Sequence, residues 1–309
     1  MKVLVTGGTG FIGSHLARAL VARGDEVSIL ARYRAGGALN RIRDIEDRLA
    51  AVIYADIRDG ARLKFVGETV EPVVVYHLAA FHHVGRSWEH PEECMAANVC
   101  GTANVLEAFP HAKIIYMSSS EVYGRQESVP WREDSTVPAP DSPYAVSKYA
   151  GELLCAGWQR RGRAISIVRA FNAYGPGQSE HAVIGELVAR AVAGRAIQTT
   201  GGRQTRDFVY VDDTVRGLVR AAECDYGGPV NLGTGRETSI RDLVDIVLEQ
   251  AGSVSSVDRT LADRPNEIWR MAASTGRAEQ LLGWRAEIPI IEGIKRTIEW
   301  HRNLGARSR

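Results

Sequence analysis

Apolar and polar positions come in alternating blocks through the first half of the chain. Residues 2–6 (KVLVT), 26–31 (EVSILA), 49–55, 73–78 and 113–117 (KIIYM) are short, largely β-branched and almost continuously apolar. Runs without a polar face predict strands of a parallel sheet covered on both sides. Between them, apolar residues recur at helical spacing over 14–23, 60–65 and 94–109. Residues 126–141 are polar and carry prolines, which predicts a surface loop before a helix that begins near Tyr144. A further strand is expected at 165–169. Beyond it the rhythm loosens into helices at 183–193, 214–222, 239–251 and 290–302, with a strand and turn at 230–235. This order predicts an α/β fold built on a doubly wound parallel sheet.

Composition narrows the field. A chain of 309 residues suits one large domain or two fused units. A net charge of +1 gives no reason to expect nucleic acid or an anionic membrane as partner, and no apolar run approaches membrane-spanning length. Met1 leads directly into the first strand, with no room for a signal peptide, and the four cysteines form no CxxC pair and no metal-ligand spacing. The expectation is a cytoplasmic protein with reduced thiols and no metal.

Candidate chemistry clusters where the strands end. Gly7, Gly10 and Gly13 stand between a strand and a helix, the context in which backbone amides and a helix N-terminus cradle a pyrophosphate. The second strand ends at Ala31, where dinucleotide folds often place an acid for the ribose hydroxyls. Arg32 and Arg34 follow instead, which leans toward a 2′-phosphate and hence NADP; Arg32 also reads as a solvated loop charge. Asp56 and Ile57 either grip an adenine or cap the next helix. Ala79 and Ala80 are small enough for a close-approaching cofactor, and His82 suits a substrate loop. A run of hydroxyls and a carboxylate, Ser118, Ser119, Ser120 and Glu121, closes the fifth strand, where ligands of such sheets sit; the serines can also cap the following turn. Ser142 and Pro143 open a helix on which Tyr144 and Lys148 lie one turn apart. The lysine ammonium is expected to favour the phenolate and bring Tyr144 toward neutral pH as an acid/base. Arginines at 203, 206 and 264 fall in irregular backbone suited to a diphosphate, or are simply solvated.

The TGGTGFIG run at 6–13, His77-Leu78-Ala79-Ala80, SSSEVYG at 118–124, YAVSK at 144–148, the stretches 169–177, 206–213 and 231–235, Arg264-Pro265, Trp284 and Trp300 together resemble the extended short-chain dehydrogenase/reductase family of nucleotide-sugar epimerases and dehydratases. The resemblance implies a Rossmann-type NAD(P)-binding domain at residues 1–170. A smaller C-terminal α/β nucleotide-sugar domain would occupy 171–309, with some segments exchanged between the two. Gly7, Gly10, Phe11, Ile12 and Gly13 would hold the cofactor pyrophosphate, Arg32, Asp56 and Ile57 the adenosine, and Leu78, Ala79, Ala80 and Asn98 the nicotinamide side. Tyr144 would take the sugar hydroxyl proton, Ser119 would bond the same oxygen, and Lys148 would hold the cofactor ribose. His82, Ser119, Asn172, Arg206 and Arg264 would bind the nucleotide-diphosphate sugar. Glu121 matches the catalytic glutamate of the dehydratases. Ser120 departs from the aspartate of the dTDP-glucose dehydratases and looks like the pattern of GDP-mannose dehydratases and UDP-glucuronate decarboxylases. The implied activity is a 4,6-dehydratase, with a 4-epimerase acting on a UDP-hexose or UDP-uronic acid second, a decarboxylase third and a non-catalytic cofactor binder last. A homodimer through helices at 94–109 and 144–160 is also implied.

Overall fold

A computed structural model describes residues 1–32, 39–263 and 267–307. Its central sheet has seven strands: β1 (Lys2–Thr6), β2 (Glu26–Ala31), β3 (Ala51–Tyr54), β4 (Val74–His77), β5 (Lys113–Ser119), β6 (Ile165–Ala170) and β7 (Pro229–Leu232). They lie in the order β7-β6-β5-β4-β1-β2-β3, and every pairing is parallel. The chain winds outward from β1 to β3, then returns to start β4 on the other side of β1. The carboxyl ends of β1 and β4 therefore flank the switch point, where a crevice opens.

Alternate residues of single strands feed two separate cores. Val3 and Val5 pack with Leu16 and Leu20 of the Phe11–Arg23 helix. Leu4, between them, packs with Leu63, Val66, Val105 and Leu106 on the opposite face. Val27 and Ile29 against Leu30, and Ile115 against Ile114 and Tyr116, divide in the same way. Both faces are thus dry, which is why these strands read as unbroken apolar runs.

The helix expected over 94–109 is broken. It runs as an α-helix at Pro91–Met95, one π-helical turn at Ala96–Cys100, and an α-helix at Gly101–Ala108. Past β6, short two-stranded pairs replace the regular βα units: Asn172–Tyr174 with Phe208–Tyr210, Thr205–Arg206 with Thr238–Ser239, and Ile197–Gln198 with Val257–Asp258. β7, drawn from this later part of the chain, completes the central sheet beside β6. A third core of Val122, Tyr123, Trp131, Phe171, Val209 and Met271 joins the later segments to the carboxyl end of the sheet. His15 donates to the Pro176 carbonyl (2.8 Å), which seats residues 175–177 on the first helix.

Candidate active site

The glycine turn is shaped by contacts that exclude side chains. Gly7 has φ +71°, and a Cβ there would lie 2.9 Å from the Ala79 amide nitrogen. A Cβ on Gly13 would lie 2.1 Å from the Gly7 carbonyl oxygen. The Gly10 amide closes the turn on that carbonyl at 2.9 Å. Gly10 caps the Phe11–Arg23 helix without a side-chain hydrogen bond, and the first turn, beginning at Phe11 and Ile12, holds no acidic residue. The positive end of the helix dipole is therefore open to an external anion.

A directed hydrogen-bond chain backs this turn. Thr6 Oγ1 accepts from the Leu78 and Ala79 amides, both at 3.1 Å. Its own proton then goes to His77 Nδ1 (2.9 Å), so Nε2 carries the ring proton and donates to Thr102 Oγ1 (3.1 Å). Thr102 in turn donates to the Asn98 carbonyl (2.6 Å) in the π turn. Burial, aided by the nearby Lys148 charge, pushes His77 down to about 3, so the ring is neutral.

Asn98, expected along the nicotinamide side, is turned into the protein. It is 2% exposed, and its amide is spent on the protein. Oδ1 accepts from the Phe81 amide (2.7 Å), while Nδ2 donates to the Phe81 carbonyl (2.9 Å) and to Ser147 Oγ (2.8 Å). Ser147 donates to the Tyr144 carbonyl at 2.7 Å. Asn98 is a strut between the loop after β4 and the helix that carries Tyr144.

That helix, Pro143–Gln159, starts as its sequence dictates: Ser142 Oγ accepts from the Ala145 amide at 3.1 Å, with Pro143 in the first turn. The relation of Tyr144 to Lys148 corrects the sequence expectation. Burial pushes Tyr144 up to about 12, against a hydrogen bond with Ser119 that eases it down, and the Glu121 charge pushes it further up. Burial also brings Lys148 down to about 8, and its ammonium sits 4.7 Å over the Tyr116 ring. Desolvation dominates, so Tyr144 is a neutral phenol.

Ser119 both caps and faces the tyrosine. Its Oγ accepts from the Glu121 amide (3.2 Å) at the head of the 3₁₀ turn Ser120–Tyr123. Glu121 is partly exposed and within electrostatic reach of the Tyr144 phenol. Ser120 is 3% exposed and donates to Met271 Sδ at 3.6 Å. Asn172 Nδ2 reaches the same sulfur at 3.1 Å. Met271 gathers Ser120 and Asn172 from distant parts of the chain, and nothing in its sequence surroundings announces this.

Arg206 is half-buried and held by Glu267 (2.5 Å) and by the Thr205 and Ile268 carbonyls. Asp56 is gripped by Arg58 at 3.0 and 2.8 Å, which holds its carboxyl below the usual range, with a smaller pull from Arg32. The cap of the next helix is Asp59, which accepts from the Arg62 amide at 2.9 Å, so neither Asp56 nor Ile57 fills that role. Ile57 is buried. Arg32 is exposed at the end of β2, and His82 is exposed on the loop after β4. Ala80 lies on that same loop, directly after Ala79. Arg34 and Arg264 lie outside the described residues.

The GDP-mannose 4,6-dehydratase family matches residues 4–297. The chain is 36% identical to a UDP-glucose 4-epimerase of Mycolicibacterium smegmatis, over 98% of this chain and 99% of that one. It is 32% identical to a dTDP-glucose 4,6-dehydratase of an Actinoplanes species, over 98% of each. The crystal structure of a dTDP-glucose 4,6-dehydratase from Streptomyces venezuelae with NAD bound superposes with a TM-score of 0.91 at 33% identity, covering 99% of this chain and 98% of that one.

Proposed function

The chain belongs to the extended short-chain dehydrogenase/reductase family, among the nucleotide-sugar epimerases and dehydratases, and on that basis we propose that it is a nucleotide-sugar 4,6-dehydratase working through a transient 4-keto sugar. The observation that carries the choice is the turn at the end of β5, where Ser119 bonds the Tyr144 phenol and Glu121 lies within reach of it.

The residues present fit a nicotinamide dinucleotide. The glycine turn would be filled by any Cβ, the helix N-terminus lacks a protein carboxylate, and Ala79 packs directly on Gly7. Gly7, Gly10, Phe11, Ile12 and Gly13 would hold its diphosphate, Lys148 its ribose, and the Leu78–Ala80 stretch the nicotinamide side. When bound, the cofactor supplies a reversible hydride acceptor. Tyr144 would take the proton of the sugar C4 hydroxyl as its phenolate, the form that the Lys148 ammonium and the positive charge of an oxidised nicotinamide would favour over the neutral phenol, while Ser119 holds that oxygen. With C4 a carbonyl, the C5 proton is acidified; Glu121 would take it and pass it to the C6 hydroxyl, which leaves as water, and the resulting 4-keto-5,6-ene would take back the hydride at C6 and a proton at C5. Asn172 and Arg206 would face the diphosphate of the substrate.

Mass spectrometry of UDP-, GDP- and dTDP-sugars after incubation tests this: loss of water from one of them is expected. Glu121→Gln should still oxidise C4 but accumulate the 4-keto sugar without elimination. Full turnover in that variant would overturn the role of Glu121.

One observation favours a second reading, a 4-epimerase. Elimination needs a donor for the leaving hydroxyl, and the Ser120 hydroxyl is turned to Met271. An isomer of unchanged mass would establish that reading.

We also propose NADP as the preferred cofactor, because Arg32 stands exposed at the end of β2 where an acid would bind a ribose hydroxyl. Arg32→Ala should weaken NADP binding about tenfold more than NAD binding by fluorescence titration, the order of one lost charge-assisted contact. Equal losses would remove the basis for the choice.

A further inference from the structure

Behind the Tyr144–Lys148 face lies a charged cluster that the chemistry above does not use. Glu152 is 4% exposed and Arg169 3%. Arg169 Nε and Nη2 donate to the two Glu152 oxygens at 2.9 and 2.7 Å, and Ser118 Oγ donates to Glu152 Oε1 at 2.5 Å. The guanidinium lies 4.6 Å over the Tyr123 ring. An ion pair taken this far out of water gains little net stability over apolar residues of the same size, so its position asks for another reason.

The four members come from four segments of the candidate site. Ser118 precedes Ser119 on β5, and Tyr123 shares the 3₁₀ turn with Glu121. Arg169 lies near the end of β6, three residues before Asn172, and Glu152 is one helical turn beyond Lys148. The titratable groups facing Lys148 are Tyr144, Glu152 and Cys155 from its own helix, Tyr116 from β5, His77 from β4 and Cys94 from the Pro91–Met95 helix. Burial pushes Tyr144, Tyr116, Cys155 and Cys94 upward, and His77 is neutral. Among the described residues facing the ammonium, Glu152 is the one carboxylate, and it is held by the Arg169 guanidinium.

We infer that the Glu152–Arg169 pair is a positioning element for the reaction: Arg169 and Ser118 fix the Glu152 carboxylate where its charge keeps the buried Lys148 an ammonium. The same contacts tie β5, β6 and the 3₁₀ turn to the reacting helix. This rests on the reading of Lys148 as part of the reacting pair and holds for a dehydratase or an epimerase alike.

The test needs no turnover, so its failure is distinct from failure of the functional reading. The chain has five lysines, Lys2, Lys64, Lys113, Lys148 and Lys295. A lysine-labelled ¹³Cε/¹⁵Nζ NMR titration of the full chain can therefore follow Lys148, assigned with Lys148→Arg. Glu152→Gln, which leaves the Arg169 cation unbalanced, should lower the Lys148 midpoint by about one pH unit, and Arg169→Met, which leaves Glu152 unshared, should raise it by about as much. Arg169→Lys keeps the charge and should leave the midpoint in place. A purely structural clamp would move both charge-removing variants in the same direction. That result, or no movement in either, would overturn the inference. Should Arg169→Met not fold, the isosteric Glu152→Gln and the charge-conserving Arg169→Lys decide it.

Discussion

His77 shows what burial does to a single side chain. Its ring is held by two threonine hydroxyls and loses its solvation, so it resists protonation down to about pH 3. In the unfolded chain it would take a proton near pH 6.5. Between those values the unfolded state binds more protons, so stability falls as the pH drops below about 6.5, by about 1.4 kcal/mol per pH unit from this site. His77→Gln keeps one acceptor and one donor but cannot titrate. Thermal melts across acid pH should show a flatter loss of stability in the variant, and an unchanged slope would assign the acid sensitivity to other groups. Tyr144 and Lys148 obey the same rule, which is why their spacing alone misled. The i to i+4 register was legible in the sequence; the depth at which the pair sits, and hence which effect dominates, was not.

Among the elements, those with a local cause were the most legible. The β1 strand, the glycine turn, and the Ser142–Pro143 start of the Tyr144 helix each depend on neighbours in sequence. The π turn at Ala96–Cys100 was not legible, because apolar spacing continues through it and only the contacts of Asn98 with Phe81 and Ser147 explain the extra residue. The roles of Met271, Glu267 and the Glu152–Arg169 pair were hidden for the same reason, since each rests on partners far along the chain.

The Pro143–Gln159 helix also has an outer face, where Val146 and Leu153 are 39% and 57% exposed. The resemblance of the sequence implies pairing through this helix, and we propose that a second copy of the chain covers this face. Leu153→Arg should shift sedimentation from dimer to monomer while leaving the circular dichroism spectrum unchanged. A wild-type protein that sediments as a monomer would end the proposal.

For the whole molecule, the order of the strands governs function more than any one residue. Because the chain reverses direction of growth between β3 and β4, the glycine turn, the loop after β4 and the end of β5 converge on one edge of the sheet. His15 and the third core then bring residues 175–177 and Met271 over that edge from the later half. Loops that no sequence rule places thus face a site that a sequence rule does locate.

The placement of β7 bears on how the chain is made. β6 is finished at Ala170, yet its outer neighbour begins only at Pro229. During synthesis β6 remains an open edge, with its row of amides and carbonyls bare, until the intervening helices and loops have emerged. A ribosome-bound intermediate of this protein is therefore at its most sticky once β1 to β6 have emerged, and closure of the sheet waits on a strand made about sixty residues later.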